Sequence, residues 1–217
     1  MAKELTTTSY AVLGLLAVRS WTTYELAQQM GRGLGDFWPR AQSKIYEEPK
    51  RLVAAGLAHA SRGTVGRRPR TVYAITPEGR RALAAWLARP GAAPVLQFEQ
   101  LVKVFFAEFG TRHDLLAGLA GVGEWREQRA AVGAAICREY LDGRGPFPER
   151  LPWLILAGGF LARFDHMVGE WAAWATATVE SWPDDLVAAE PDWAALEAMA
   201  EQDEAVVRGA AARRGDR

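Results

Sequence analysis

Hydrophobic positions recur at helical spacing in three consecutive segments at the start of the chain. The first predicted helix runs from about Thr8 to Arg19. The second opens at Thr22, which forms a capping-box pattern with Glu25, and stops near Gly31. The third runs from about Arg40 to Ala55. The pattern therefore predicts three short helices joined by brief links.

The period then changes to that of a β-hairpin. Leu57–Arg62 and Thr71–Ile75 read as strands, and the predicted connection, Gly63–Arg70, is rich in turn formers and arginine. A fourth helix opens at Thr76-Pro77, where a capping residue precedes a proline at the first helical position. Three helices, a hairpin and a helix follow one another in a winged helix-turn-helix, whose third helix enters the major groove of DNA.

Beyond a linker rich in Pro, Gly and Ala at 90–94, the pattern is helical throughout. The predicted helices cover Phe98–Phe109, Thr111–Asp142, Pro152–Trp182 and Trp193–Ala211. The two long ones approach about 45 Å each, which suggests an antiparallel hairpin arm. The predicted fold class is mainly α with a small β-hairpin. An N-terminal winged helix-turn-helix domain covers residues 1–90, and a C-terminal long-helix dimerisation domain, with a possible effector site, covers residues 91–217.

Charge divides the chain in the same place. Residues 1–90 contain 14 Lys and Arg against 6 Asp and Glu, whereas residues 91–217 contain 12 against 20. A basic half joined to an acidic half suggests that the first half meets an anionic partner, most often nucleic acid. An uneven scatter of charge without function is the alternative.

Cysteine usage and hydropathy indicate the compartment. The single cysteine, Cys137, excludes an internal disulfide and lies among apolar residues, so we expect it to be buried. No apolar run comes near the roughly 18 residues that span a bilayer, and the N-terminus does not resemble a secretory signal. We therefore expect a cytoplasmic protein with no membrane partner.

The third helix and the hairpin carry the candidate DNA contacts. Polar side chains near the start of a recognition helix suit base edges or phosphates, and hairpin arginines suit the DNA backbone. The alternatives are an ordinary solvated helix face and a solubilising loop. The candidate DNA-binding residues are Thr23, Tyr24, Gln42, Ser43, Lys44, Tyr46, Lys50, Arg51, Arg67, Arg68 and Arg70.

Nine tryptophans in the chain raise the possibility of an aromatic ligand pocket. The candidate effector-binding residues are Trp125, Arg126, Trp171 and Trp174. A flat, apolar effector would suit such a site. The alternative is that these aromatic residues fill the helical hairpin and a dimer interface.

Catalytic and metal-binding arrangements are not apparent in the sequence. His59, His113 and His166 are scattered, and none has a second His or Cys at ligand spacing. The glycine-rich Gly31–Gly35 follows no strand, so it does not predict a nucleotide site. We expect neither an enzyme nor a bound cofactor or metal.

An ordered series of short motifs also carries a family resemblance. The motifs are Tyr10–Leu16, Tyr24-Glu25-Leu26, Trp38, Ser43–Tyr46, Lys50-Arg51-Leu52, Gly56-Leu57 and Arg70–Gly79. Residues 6–89 thereby resemble the N-terminal domain of the PadR family of bacterial transcriptional regulators. The later part, with Leu101–Phe106 and the long helices, is similar to larger members that dimerise through a helical domain. The resemblance implies a homodimer that binds operator DNA, usually as a repressor relieved by a small molecule.

A two-fold symmetric dimer that places its heads in successive major grooves predicts a pseudo-palindromic operator.

One residue departs from the family pattern. Members usually have leucine three residues after the tyrosine equivalent to Tyr46, whereas this chain has Pro49. Proline inside a helix costs about 3 kcal/mol, so we predict a kink or break near Glu47–Pro49. The alternative function is a helical ligand-binding or protein-interaction module whose winged helix no longer binds DNA.

Overall fold

The computed structural model of the protein describes residues 5–39, 45–65 and 68–215. The chain divides into two compact units, Met1–Val95 and Leu96–Arg217. The helices and strands are α1 (Thr7–Val18), β1 (Trp21–Thr22), α2 (Thr23–Gln29), α3 (Glu48–Ala54), β2 (Ala58–Val65), β3 (Arg68–Ile75), α4 (Pro77–Leu87), α5 (Glu99–Phe105), α6 (Arg112–Leu141), α7 (Leu151–Glu180) and α8 (Trp193–Gly215). Among the described residues, no helix combines the length and apolar character that crossing a membrane requires.

The first unit packs its helices against a three-stranded antiparallel sheet with strand order β1-β3-β2. The strand β1 was not predicted, because its two residues are too few to show a period. It pairs Trp21 with Tyr73, and both side chains are buried. The core continues through Val12, Leu13 and Leu52, all fully buried. Apolar faces predicted from periodicity thus meet in one core.

The predicted helix break near Pro49 is confirmed. Residues 45–47 form a turn and α3 begins at Glu48, which places Pro49 in its first turn. Proline is tolerated there because the amide it lacks has no partner within the helix. The prediction of one helix over 40–55 is therefore wrong for the described residues, and residues 40–44 lie outside them.

In the first unit, two further boundaries differ from the prediction. The second helix does not stop at Gly31 but continues as a π-helical turn over Met30–Leu34, which keeps Met30 fully buried. The hairpin strands also extend into the predicted connection, since the pairing runs on to Val65 opposite Arg68. Backbone hydrogen bonding sets the end of a ladder, and turn-forming side chains do not have to interrupt it.

The second unit is built on the hairpin of α6 and α7, each of 30 residues. Leu115, Leu119 and Val122 of α6 are buried with residues of α7, among them Val168 and Val179. This half of the hairpin, called the base below, is also held by polar contacts. Arg112 donates to the backbone carbonyls of Glu180 and Trp182, both at 3.1 Å, and so caps the end of α7.

The half of the hairpin next to its turn is apolar and exposed. We call this half the tip surface and define it by seven side chains, between 46% and 76% exposed. They are Val132, Ile136, Leu141, Trp153, Ile155, Leu156 and Phe160. Cys137 lies in the same half and is exposed, so the expectation that it is buried is wrong for the single chain. Its apolar neighbours in sequence are themselves exposed here.

Candidate nucleic-acid interface

The N-terminus of α2 is fixed by the predicted capping box. The Thr22 amide and hydroxyl donate to the Glu25 carboxylate at 2.7 and 2.8 Å, and the Glu25 amide donates to the Thr22 hydroxyl at 3.2 Å. The Thr22 amide and hydroxyl hold the pKa of Glu25 below its usual value, and the charges of Arg19 and Arg70 add to this. A depressed folded-state pKa means that the box stabilises α2 at neutral pH and weakens as the pH falls through that value.

Arg19 is a candidate DNA contact that the sequence pattern does not indicate. Its guanidinium lies 3.8 Å from the centre of the Trp21 ring and 3.8 Å from a Glu25 carboxylate oxygen. Its side chain is 52% exposed. Stacking on an aromatic face orients the cation while leaving it open to solvent. The pattern at the end of α1 indicates only a helix terminus, so the role of Arg19 becomes visible only when β1 places Trp21 beside it.

The strand register separates the wing arginines onto two faces. Arg62 pairs with Thr71, and Arg70 pairs with Gly63. Because alternate residues of a strand point to opposite faces, Arg62 and Arg70 lie on opposite sides of the ribbon. Arg70 shares its face with Val72, which pairs with Thr22, and its charge acts on Glu25. Of these two arginines, Arg70 is the one on the α2 side.

The remaining predicted contacts fall into three groups. Tyr24 and Tyr46 are 67% and 60% exposed, Lys50 and Arg70 are also exposed, and Thr23 is half-buried. Arg51 is half-buried and donates to Glu48 at 2.8 Å. Gln42, Ser43, Lys44, Arg67 and the side chain of Arg68 lie outside the described residues.

Glu48 was not identified from the sequence. Its side chain is only 1% exposed, although an acidic residue at the start of a helix ordinarily indicates a solvated first turn. Its burial depends on α1, which lies far away along the chain and supplies a hydrogen bond from Ser9. No local signal could have indicated this contact.

The candidate effector residues lie on the α6–α7 hairpin. Trp171 and Phe98 pack edge to face, with ring centroids 5.6 Å apart, whereas Trp125 and Trp174 are 37% and 45% exposed. Arg126 lies against Gly169 of α7, since a Cβ there would come within 2.8 Å of the Arg126 Cγ. A cavity of about 400 Å³ lies elsewhere in this unit. It is lined by residues of α5, of the segment 106–110 and of the start of α6, and by none of the four candidates.

The sequence pattern of the "Transcriptional regulator PadR-like family" matches residues 12–85, which span α1 to α4. All of the matched residues lie within the first unit. The matched family consists of transcriptional regulators. Over 107 residues, this chain is 29% identical to the negative transcriptional regulator PadR of Bacillus subtilis. The match covers 48% of this chain and 59% of that relative, so a large part of the relative's length lies outside it.

Solved structures extend the likeness in fold beyond residues 12–85. Bacillus subtilis PadR in complex with operator DNA has a TM-score of 0.71 at 20% identity, covering 80% of this chain and 99% of that one. The same protein in complex with p-coumaric acid has a TM-score of 0.61 at 22% identity, covering 81% and 100%. The predicted fold class, a winged helix followed by long helices, is therefore confirmed.

Proposed function

We propose that the protein is a sequence-specific DNA-binding transcriptional regulator that acts as a homodimer on operator DNA. The observation that carries the proposal is the basic face beside α2, where Arg19 and Arg70 flank Glu25 and Tyr24 is exposed. Cations on an exposed face of a winged helix suit the DNA backbone. We assign DNA binding to residues 1–90 and dimerisation to residues 91–217. Because bacterial DNA lies in the cytoplasm, the proposal places the protein in the cytoplasm.

Selection of binding sites from a pool of random duplexes tests DNA binding, because the operator sequence does not have to be specified in advance. We expect enrichment of one pseudo-palindromic sequence, and a steep, linear fall of log affinity with log salt concentration when that duplex is used in a shift assay. Failure to enrich any sequence would contradict the proposal. It would favour the alternative function, a helical ligand-binding or protein-interaction module. The observation that favours this alternative is the shortness of α3, which begins only at Glu48 and has Pro49 in its first turn.

The tip surface supports the homodimer. Large apolar patches that remain exposed on a single chain mark contact sites, and burying one large side chain stabilises by about 1.5–3 kcal/mol. A second copy of the same hairpin offers an equally apolar surface, and two-fold contacts use the same patch on both copies. Repression, rather than activation, is the direction that we propose, because the Bacillus subtilis relative is named a negative regulator.

Phe160→Glu is expected to produce monomers, because it places a charge in the middle of the tip surface. We expect the dissociation constant of the dimer to rise at least a hundredfold, corresponding to about 2.7 kcal/mol. Sedimentation velocity over a range of concentrations measures it. Ala117→Glu, which adds the same charge at an exposed α6 position in the base, is the control. A variant that dimerises like the wild type would place the interface elsewhere.

We further propose that a small apolar or aromatic effector binds the helical unit and weakens operator binding. Trp125 and Trp174 offer partly exposed rings, and Arg126 supplies a cation for an acidic group. The Bacillus subtilis complex with p-coumaric acid makes that compound the first probe. We expect it to quench tryptophan fluorescence and to raise the dissociation constant for the operator. Binding that leaves operator affinity unchanged would contradict the proposal, since regulation requires unequal affinity for the two states.

A further inference from the structure

Glu48 joins two helices of the first unit through a buried carboxylate. One of its oxygens accepts a hydrogen bond from the Ser9 hydroxyl of α1, and Ser9 is itself fully buried. The other oxygen accepts from the Arg51 guanidinium at 2.8 Å, one turn further along α3. Both oxygens therefore have partners, and one of those partners carries the opposite charge.

This arrangement is not what stability alone would favour. Removing a carboxylate from water carries a large desolvation penalty, and replacing a buried ion pair with apolar side chains of similar volume often leaves a protein as stable or more so. Apolar side chains of the same two helices lie in the core: Val12 and Leu13 of α1 and Leu52 of α3 are fully buried. Apolar packing has little directional preference, whereas a hydrogen bond constrains distance and angle. The Glu48 contacts therefore fix a geometry that packing alone leaves less defined.

The position of Glu48 makes that geometry relevant to the start of α3. The helix begins at Glu48, carries Pro49 in its first turn, and receives no side-chain cap from Glu47. The hydrogen bond from Ser9 therefore constrains the first turn of α3, which no side chain of its own segment caps. Exposed Tyr46 and Lys50 flank it in sequence.

A second tie from α1 reaches the segment before α3. The Trp38 indole N–H donates to the Thr8 hydroxyl at 3.1 Å, and Thr8 is buried. Adjacent residues of α1 thus make polar contacts on both sides of the 40–44 segment, which carries three of the predicted DNA contacts. Together, these contacts attach Trp38 and Glu48 to the same helix.

We propose that Glu48 is a positioning residue that sets the orientation of α3 and the direction of Arg51, and so determines how well the protein distinguishes its operator from other DNA. The inference rests on the proposed DNA-binding function. In the absence of the carboxylate, the Arg51 cation is released to meet any phosphate, which favours DNA of every sequence. Base readout, in contrast, requires a fixed helix, so operator binding weakens while random-sequence binding does not.

The test compares Glu48→Met and Glu48→Gln with the matched control Glu47→Met, whose parent residue is the exposed neighbour. Dissociation constants are measured for the selected operator and for a random duplex of the same length, together with thermal unfolding. For Glu48→Met we expect at least a tenfold lower ratio of operator to random affinity, whatever the change in melting temperature, because the buried Ser9 hydroxyl also loses an acceptor. Glu48→Gln, which still accepts from Ser9, recovers part of the ratio. Glu47→Met stays within twofold of the wild type.

An unchanged ratio in Glu48→Met would overturn the inference, and so would an equal loss of both affinities with a lowered melting temperature, since that describes a purely structural role. If the Met variant does not fold, the Gln variant decides by the same ratio, and a value within twofold of the wild type overturns the inference. Failure of the proposed function looks different, because the wild type itself would then prefer no duplex.

Discussion

Alanine at Arg67, Arg68 and Arg70 is expected to weaken operator binding and to flatten its dependence on salt. Each phosphate contact contributes about 0.9 to the slope of log affinity against log salt concentration, so three lost contacts lower the slope by about 2.7. Between 50 and 200 mM salt, affinity should then fall about 40-fold less than in the wild type. Shift assays with the selected operator across this salt range measure both quantities.

The register of the wing supplies a matched control for the same prediction. Arg70→Ala and Arg62→Ala remove the same charge from opposite faces of one ribbon. We expect the first to reduce the slope by about one and the second to leave it close to that of the wild type. Equal effects would mean that net charge, rather than a directed contact, governs binding. An unchanged slope in the triple variant would show that the wing arginines do not contact DNA phosphates.

Gly79→Ala is expected to destabilise the first unit by about 3 kcal/mol, at the upper end of the usual cost of overpacking. A Cβ at Gly79 would lie 2.1 Å from the Leu57 carbonyl oxygen and 2.8 Å from the Ile75 Cγ1. The carbonyl is backbone and also accepts the Thr76 amide at 3.1 Å, so it cannot move without disturbing the entry into α4. Relief requires the helix to shift away from the sheet.

Urea unfolding followed by circular dichroism measures this loss. Gly14→Ala is the control, because Gly14 lies in α1 with nothing within 4 Å of an added Cβ. Alanine there should be neutral or stabilising by up to about 1 kcal/mol, since it reduces the freedom of the unfolded chain. Surface substitutions usually change the free energy of unfolding by less than about 0.5 kcal/mol. A change that small in Gly79→Ala would contradict the close approach of α4 to Leu57.

The features that the sequence predicted well depend on short-range chemistry. Capping at Thr22 and Thr76 follows from residues three positions apart, and both caps form. The break at Pro49 follows from the covalent structure of proline. The long helices follow from an apolar period sustained over many turns.

The features that could not be predicted depend on partners far away in the sequence. The burial of Glu48 depends on Ser9, and the orientation of Arg19 depends on the strand that places Trp21. The exposure of Cys137 has a different cause. An apolar sequence indicates that a segment tends to be buried, but it does not indicate whether the same chain or another one covers it. For these residues the local pattern is compatible with several tertiary environments.

The division of the α6–α7 hairpin into a buried base and an exposed tip surface bears on how the cell controls the amount of this protein. The base is held by its own core and by Arg112, whereas the tip surface lacks apolar cover from the described part of the chain. In the proposed dimer, a partner that binds only the folded tip stabilises it by mass action. Newly made copies that have not met a partner would open locally and be degraded first. Tip substitutions would then lower protein abundance in the cell before they alter gene regulation.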